Sequence, residues 1–376
     1  MIWECAGSSK FAALHGELPG ELTSLTFGRK FNLPVDAIGW PDALREIVFG
    51  EAFSQPIDNV SWPSGLQRLR FGAFYNQPLH GVRWPLGLKG LSFGAKFDKP
   101  LNAVKWPCAL ETIALGECFS WDLATTSFPP GLRILTLAGA FPGNIHKVPL
   151  PEGLEEISLC HFDQPLDGFT LPLGLKRLKL GDLFNRPIER VIWPQGLKRL
   201  TFGDCFNQPI CGGSLPVGLE TLEFGRDFNR SIRGAAVLPA GLWELSFGDR
   251  FNQDAVGVNW PPGLKVLSFG EKFNREVGEV AWPATLQQLS FPGKFNQPVV
   301  GVSWPPGLRH LGFGHSFNQA LGEVKLPISL ELLELGEAFR QPVDGVLWPV
   351  GLKRLAVGPK VILQALQEAR FPDGLK

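Results

Sequence analysis

Apolar and polar positions along this chain recur on a period of about 22 residues. Read from Trp282, the pattern is Trp-Pro-x-x-Leu286-x-x-Leu289-x-Phe291. Phe295-Asn296-Gln297-Pro298-Val299 follows, then Gly301-Val302-x-Trp304, where the next copy opens. Copies begin at Leu18, Trp40, Trp62, Trp84, Trp106, Phe128, Leu150, Leu171, Trp193, Leu215, Leu238, Trp260, Trp282, Trp304, Leu326 and Trp348. The step from Leu150 to Leu171 is one residue short, and that from Leu215 to Leu238 one long. The alternation at Leu289 and Phe291 predicts a short strand with one face buried. One strand per copy, stacked in register, predicts a parallel sheet along a solenoid. The proline of Val302-x-Trp304-Pro305 excludes helix and turns the residue before it toward extended backbone.

Side chains around the strand fit the same stacking. The glycine after it (Gly28, Gly50, Gly72, Gly94, Gly203, Gly270, Gly314) suits a turn that needs positive φ. The next aromatic (Phe31, Phe53, Tyr75, Phe97, Phe119, Phe184, Phe206, Phe251, Phe295, Phe339) is expected to form a stacked column. The asparagine after that (Asn32, Asn76, Asn185, Asn207, Asn229, Asn252, Asn274, Asn296, Asn318) is expected to bond backbone groups of adjacent turns, making a ladder and not a chemical site. A single copy cannot cover its own two faces, so the ends of an array need caps. The reading is one domain: residues 1–17 as a degenerate N-terminal cap, 18–358 as the array of about 15–16 units, and 359–376 as a C-terminal cap. Val361 to Ala369 has helical spacing, and Phe371-Pro372 with Gly374-Leu375 opens what looks like another unit, as in a piece of a longer protein.

Composition changes this picture little. Gly 44 and Pro 33 would suggest disorder if scattered, but both recur on the period. Lys+Arg 36 against Asp+Glu 36 gives no global signal for nucleic acid or an anionic membrane. No apolar run reaches the roughly 18 residues that span a bilayer, and the N-terminus lacks the pattern of a secretory signal. The six cysteines form no Cys-x-x-Cys pair, which is read as free thiols in a reducing, cytoplasmic setting with no metal or cofactor expected. The sequons at Asn59 and Asn229 carry little weight without a signal.

No catalytic residues are assigned. The histidines His15, His80, His146, His161, His310 and His315 match no nucleophile motif, and no phosphate-binding loop occurs. Carboxylates recur beside the turn glycine (Glu51, Glu117, Asp182, Asp204, Asp227, Asp249, Glu271, Glu337), as a polysaccharide-active solenoid would use. Arg29, Ala73, Ala95 and His315 break that row.

The consensus Leu-Pro-x-x-Leu-x-x-Leu-x-Phe/Leu-Gly-x-x-Phe-Asn-x-Pro-Ile/Val resembles the FNIP repeat, a branch of the leucine-rich-repeat superfamily. Leu171 to Ile188 and Trp193 to Ile210 match it best, and the resemblance covers about residues 18–358. Trp where that family has Leu, at nine of sixteen starts, implies the same inward position in a wider core. The resemblance implies a non-catalytic protein–protein interaction scaffold with another protein as partner. An F-box, which often accompanies such repeats, does not fit in the 17 residues before the first unit.

On a solenoid of this type the partner is expected on the strand face. One outward column is small: Thr26, Ser92, Ala114, Thr136, Ser158, Thr201, Ser246, Ser268, Ser290, Gly312. The column after the first leucine is charged: Arg45, Lys89, Glu111, Arg133, Glu155, Lys176, Lys198, Glu220, Lys265, Arg309, Glu331, Lys353. Lys176, Arg177, Lys179, Lys198 and Arg199 form a basic patch expected on adjacent strands, with Arg68 and Arg70 a smaller pair. It reads either as a dock for an acidic partner or as a solvated face with acidic neighbours. Trp243, in the charged column, and Trp121, in the least regular stretch 119–163, are the exposed aromatics expected to touch a partner. The alternative is a glycan- or nucleic-acid-binding solenoid using the patch and the tryptophans. A small-molecule substrate and a membrane are disfavoured.

Overall fold

The computed structural model describes residues 2–5, 18–140, 143–234, 238–343 and 345–358, with side-chain detail from residue 18 onward. The chain divides into two compact units, residues 1–164 with 168–181, and 165–167 with 182–376. The helical lid expected over Val361 to Ala369, and most of the expected N-terminal cap, lie outside the described residues.

Unit 1 carries β1 (Ile2–Cys5), β2 (Ser24–Phe27), β3 (Glu46–Val48), β4 (Arg68–Arg70), β5 (Gly90–Ser92), β6 (Thr112–Leu115), β7 (Ile134–Leu137), β8 (Glu156–Leu159) and β9 (Arg177–Leu180). Each pairs in parallel with the next, with equivalent residues opposite one another, as in Leu25 against Ile47. Unit 2 repeats the scheme with β10 (Arg199–Thr201), β11 (Thr221–Glu223), β12 (Glu244–Ser246), β13 (Val266–Ser268), β14 (Gln288–Phe291), β15 (His310–Phe313), β16 (Leu332–Leu335) and β17 (Arg354–Val357). The short and long steps leave the register intact: Ile157 faces Leu178 and Leu222 faces Leu245. The length change is absorbed outside the strands, because slippage by one residue would turn every buried leucine to solvent.

Between strands the chain bends through three turns per copy. Around β15 these are closed by Val302 N–H to Val299 O (3.4 Å), Leu308 N–H to Pro305 O (3.1 Å) and Phe317 N–H to Gly314 O (3.2 Å). Among the described residues the one helical element is a 3-10 turn at Ile145–Lys147.

The core is a set of columns. The central leucine or isoleucine of each strand from β2 to β16 is buried, as are both aromatic columns. In unit 2, Phe206, Phe228, Phe251, Phe273, Phe295, Phe317 and Phe339 stack at 6.1–6.3 Å between centroids. The strand-end phenylalanines lie against them, Phe224 at 3.9 Å from Phe228. The tryptophans stack at the margin, Trp260 on Trp282 at 5.9 Å, with Trp260 edge-on to Phe269. Most are half-buried, less inward than the leucine they replace. Trp193 N–H donates to Ser214 O at 2.9 Å, while the buried indole N–H groups of Trp260, Trp282 and Trp304 meet no acceptor.

The asparagine ladder forms. Asn229, Asn252 and Asn274 each accept, through Oδ1, the backbone N–H of the asparagine one copy on, at 3.0 Å. Asp98 serves as a rung in unit 1, accepting from Ser120 N–H at 3.0 Å. The following glutamine closes the gap between turns: Gln297 Nε2 donates to both Asn274 oxygens.

The turn glycines require correction. None of those assigned to positive φ has it. A Cβ on Gly50 would overlap the carbonyl of Gly28, and one on Gly72 or Gly94 the glycine before it in turn. Glycine is needed because backbone stacks on backbone there. Positive φ falls elsewhere, at Gly81 (87°), Gly257 (75°) and Gly301 (80°), the third residue of the second turn, where a type II turn demands it.

Tyr75 is the chain's one tyrosine and takes a phenylalanine position in the unit 1 stack. Its hydroxyl is buried without a partner. Burial, then the nearby Asp58 carboxylate, pushes the phenol well above its ordinary range. The folded state therefore keeps the proton while the unfolded tyrosine ionises near pH ~10. Stability from this group is intact below that pH and is lost as pH rises past it. Tyr75→Phe is expected to stabilise unit 1 by about 1–2 kcal/mol at neutral pH and to remove this alkaline loss. Urea melts at neutral and alkaline pH, with tyrosinate absorbance as the marker in the native chain, check it.

Candidate partner-binding surface

Because side chains alternate along a strand, the residues on either side of each core leucine face outward. In unit 1 this face carries Glu46, Arg68 and Arg70 on β3 and β4, with Arg68 and Arg70 Nε at 3.5 and 3.9 Å from Glu46 Oε1. Farther along, Arg133, Glu155 and Lys176 form a chain, at 3.6 Å and 2.9 Å. The hydrogen bond from Lys176, reinforced by the positive charges of Lys176, Arg133 and Arg177, holds the Glu155 carboxyl below the usual range. Arg177 meets Glu156 at 2.6 Å. Lys179, exposed on β9, has no carboxylate partner among the described residues.

In unit 2, Lys198 meets Glu220 at 2.8 Å, and Arg199 meets Glu223 at 3.3 Å and Glu244 at 3.6 Å. Arg309, Glu331 and Lys353 repeat the cation–carboxylate–cation chain of unit 1. The hydrogen bond from Lys353 comes first in holding Glu331 below the usual range. Of the five residues of the predicted basic patch, four are thus paired with glutamates from neighbouring strands, 21 to 45 positions away in sequence. Pairs this exposed contribute little to stability, but they cancel the local positive charge.

Trp243 sits just before β12, 38% exposed, at the position that other copies fill with a charge. Its neighbours in that column are Glu220 and Lys265. Trp121 is 46% exposed and lies away from the strands. No disulfide joins Cys108, Cys118, Cys160, Cys205 or Cys211. Among the described residues no three His, Cys, Asp or Glu side chains come together to hold a metal, and no helix is long and apolar enough to cross a membrane.

Two further features depart from the charged column. In unit 2 the residue after each start proline is exposed and uncharged in seven successive copies: Val217, Ala240, Pro262, Ala284, Pro306, Ile328 and Val350. These are the tips of the Pro-x-x-Leu turns, and the signal was present at the position after each proline. The second is the break at Pro292 and Gly312. Pro292 replaces the turn glycine, Gly293 takes φ 75°, and Gly312 is the bare position of its outward column. Around it, on β14, β15 and β16, stand Ser290, His310 and Glu334.

A parallel sheet built from one short strand per coil, with stacked leucines and an asparagine ladder, defines a leucine-rich-repeat-like β-solenoid. The FNIP Repeat family model matches residues 162–205, 206–250 and 295–347. Among solved structures, the chain is similar to CroV588, described as a novel circular LRR protein, at 34% identity and TM-score 0.74 over 96% of this chain. It spans 59% of the CroV588 chain. TLR13, solved in complex with ssRNA13, shares the fold at 15% identity and TM-score 0.64, covering 90% of this chain and 54% of TLR13. No curated protein matches the chain by sequence.

Proposed function

We propose that this chain is a non-catalytic scaffold that binds another protein on its strand face, in a cytoplasmic setting. The observation that carries this reading is the face itself, a long exposed array of alternating charges that are already paired across strands, interrupted by Trp243. A surface of this kind offers a protein a polar rim and one aromatic anchor, the residue type that carries much of an interface's binding energy. Trp243 is the proposed anchor in unit 2. Trp121 and the group Lys176, Arg177 and Lys179 are proposed contacts in unit 1, and Lys198 and Arg199 in unit 2.

Nucleic acid fits less well. Binding to phosphates needs cations whose counterions can be released, and Lys176, Arg177, Lys198 and Arg199 already face glutamates.

The test uses the full chain as bait, with captured proteins identified by mass spectrometry. Trp243→Ala combined with Lys265→Glu is expected to reduce recovery of specific partners by about tenfold, while Glu279→Lys, outside the strands, leaves it unchanged. Recovery indifferent to the strand-face variant overturns the reading. Recovery of nucleic acid alone, lost steeply between about 50 and 200 mM salt and abolished by neutralising Lys176, Arg177, Lys198 and Arg199 together, supports the alternative.

A further inference from the structure

We propose that the strand face of unit 2 carries a pocket for a primary ammonium group at Gly312, of the kind a lysine side chain of a bound protein presents. The inference refines the scaffold reading but rests on its own geometry. Gly312 lies in a strand with ordinary backbone, so the missing side chain leaves a gap and not a strained turn. Three polar atoms from three strands converge on that gap. From the position a Cβ would occupy, Glu334 Oε2 is 3.0 Å away, Ser290 Oγ 3.5 Å and His310 Nε2 3.6 Å. A cavity of about 140 Å³ opens there, with Pro292, Phe313 and Gly314 in its wall.

The chemistry of the three atoms selects the ligand. Glu334 is an acceptor and the one formal charge lining the cavity. His310 Nε2 is buried and lies 3.1 Å from Glu334 Oε2 on the neighbouring strand. The imidazole stands beside the carboxylate, and the Ser290 hydroxyl is a second acceptor. An ammonium has three donors and no acceptor, and its compact charge fits a small cavity where a planar guanidinium needs a flat, paired carboxylate. Arg309 and Lys353, in the charged column, are both paired with Glu331. Pro292 gives the alkyl stem an apolar wall, a contact that the glycine of other copies cannot supply.

The probe is Nα-acetyl-lysine methylamide, titrated into the full chain and followed by the His310 ring resonance in NMR. That signal is one of six histidines and is assigned by its loss in His310→Gln. A saturable shift with affinity on the order of millimolar is expected. Gly312→Ala fills the gap at a position where other copies carry serine or alanine, and Glu334→Gln removes the charge. Each is expected to weaken binding by about tenfold or more. A norleucine analogue that shifts the resonance equally overturns the proposal, as does binding unaffected by both variants, and tighter binding by the arginine analogue overturns the choice of ammonium. Failure here leaves partner capture through Trp243 and Lys265 untouched, and failure of capture leaves a positive titration standing.

Discussion

Phe228→Ala is expected to destabilise unit 2 by about 3–5 kcal/mol, the range for removing a large buried aromatic. Phe228 is fully buried. It stacks on Phe206 and Phe251 at 6.1 Å each and lies 3.9 Å from Phe224. Its two stacking neighbours cannot close the gap, because each is fixed by its own strand and by the asparagine ladder beside it. A cavity therefore persists, and the cost sits toward the high end. Copies in a solenoid are coupled mainly to their neighbours, so a defect in mid-array weakens both interfaces at once. Urea unfolding followed by far-UV circular dichroism should show either a lower midpoint or a transition split in two. A midpoint within about 1 kcal/mol of the parent would mean that the stack is not a principal source of stability.

Gly248→Ala is expected to cost at least about 3 kcal/mol, at or beyond the usual upper end for overpacking. A Cβ there would overlap the carbonyl of Gly225 and approach Arg226 N to 2.8 Å. The obstacle is backbone, held in place by the neighbouring coil, so no side-chain rotation relieves it. Gly278→Ala is the control. It has open space around its Cβ position and no positive φ, so the substitution should be neutral or slightly stabilising, by up to about 1 kcal/mol through the unfolded chain. Equal effects of the two substitutions, read from the same urea midpoints, would show that chain entropy and not coil-on-coil contact accounts for the turn glycines.

Period and alternation are local properties, and much of the fold was legible from them. Leu289 and Phe291 marked a strand, Phe295 a stack and Asn296 a ladder rung, each because the same residue type returned every 22 positions to the same environment. Trp243 was legible as an exposed aromatic for the same reason: it broke a column of charges. The resemblance to FNIP repeats rested on those positions too.

What only the tertiary structure decided depends on neighbours one coil away. Gly50 looks like a turn glycine in sequence, but its necessity comes from the Gly28 carbonyl stacked against it. Lys198 and Arg199 look like a free basic cluster, but Glu220, Glu223 and Glu244 neutralise them across strands. Ser290, His310 and Glu334 share no motif and lie 20 to 44 residues apart; parallel pairing in register sets them on three adjacent strands around Gly312. The sequence alone determined the coil, because stacking makes every copy answer to the same local rule. The surface was decided by the structure, because charge pairing and convergence arise between copies, where the repeat imposes no rule.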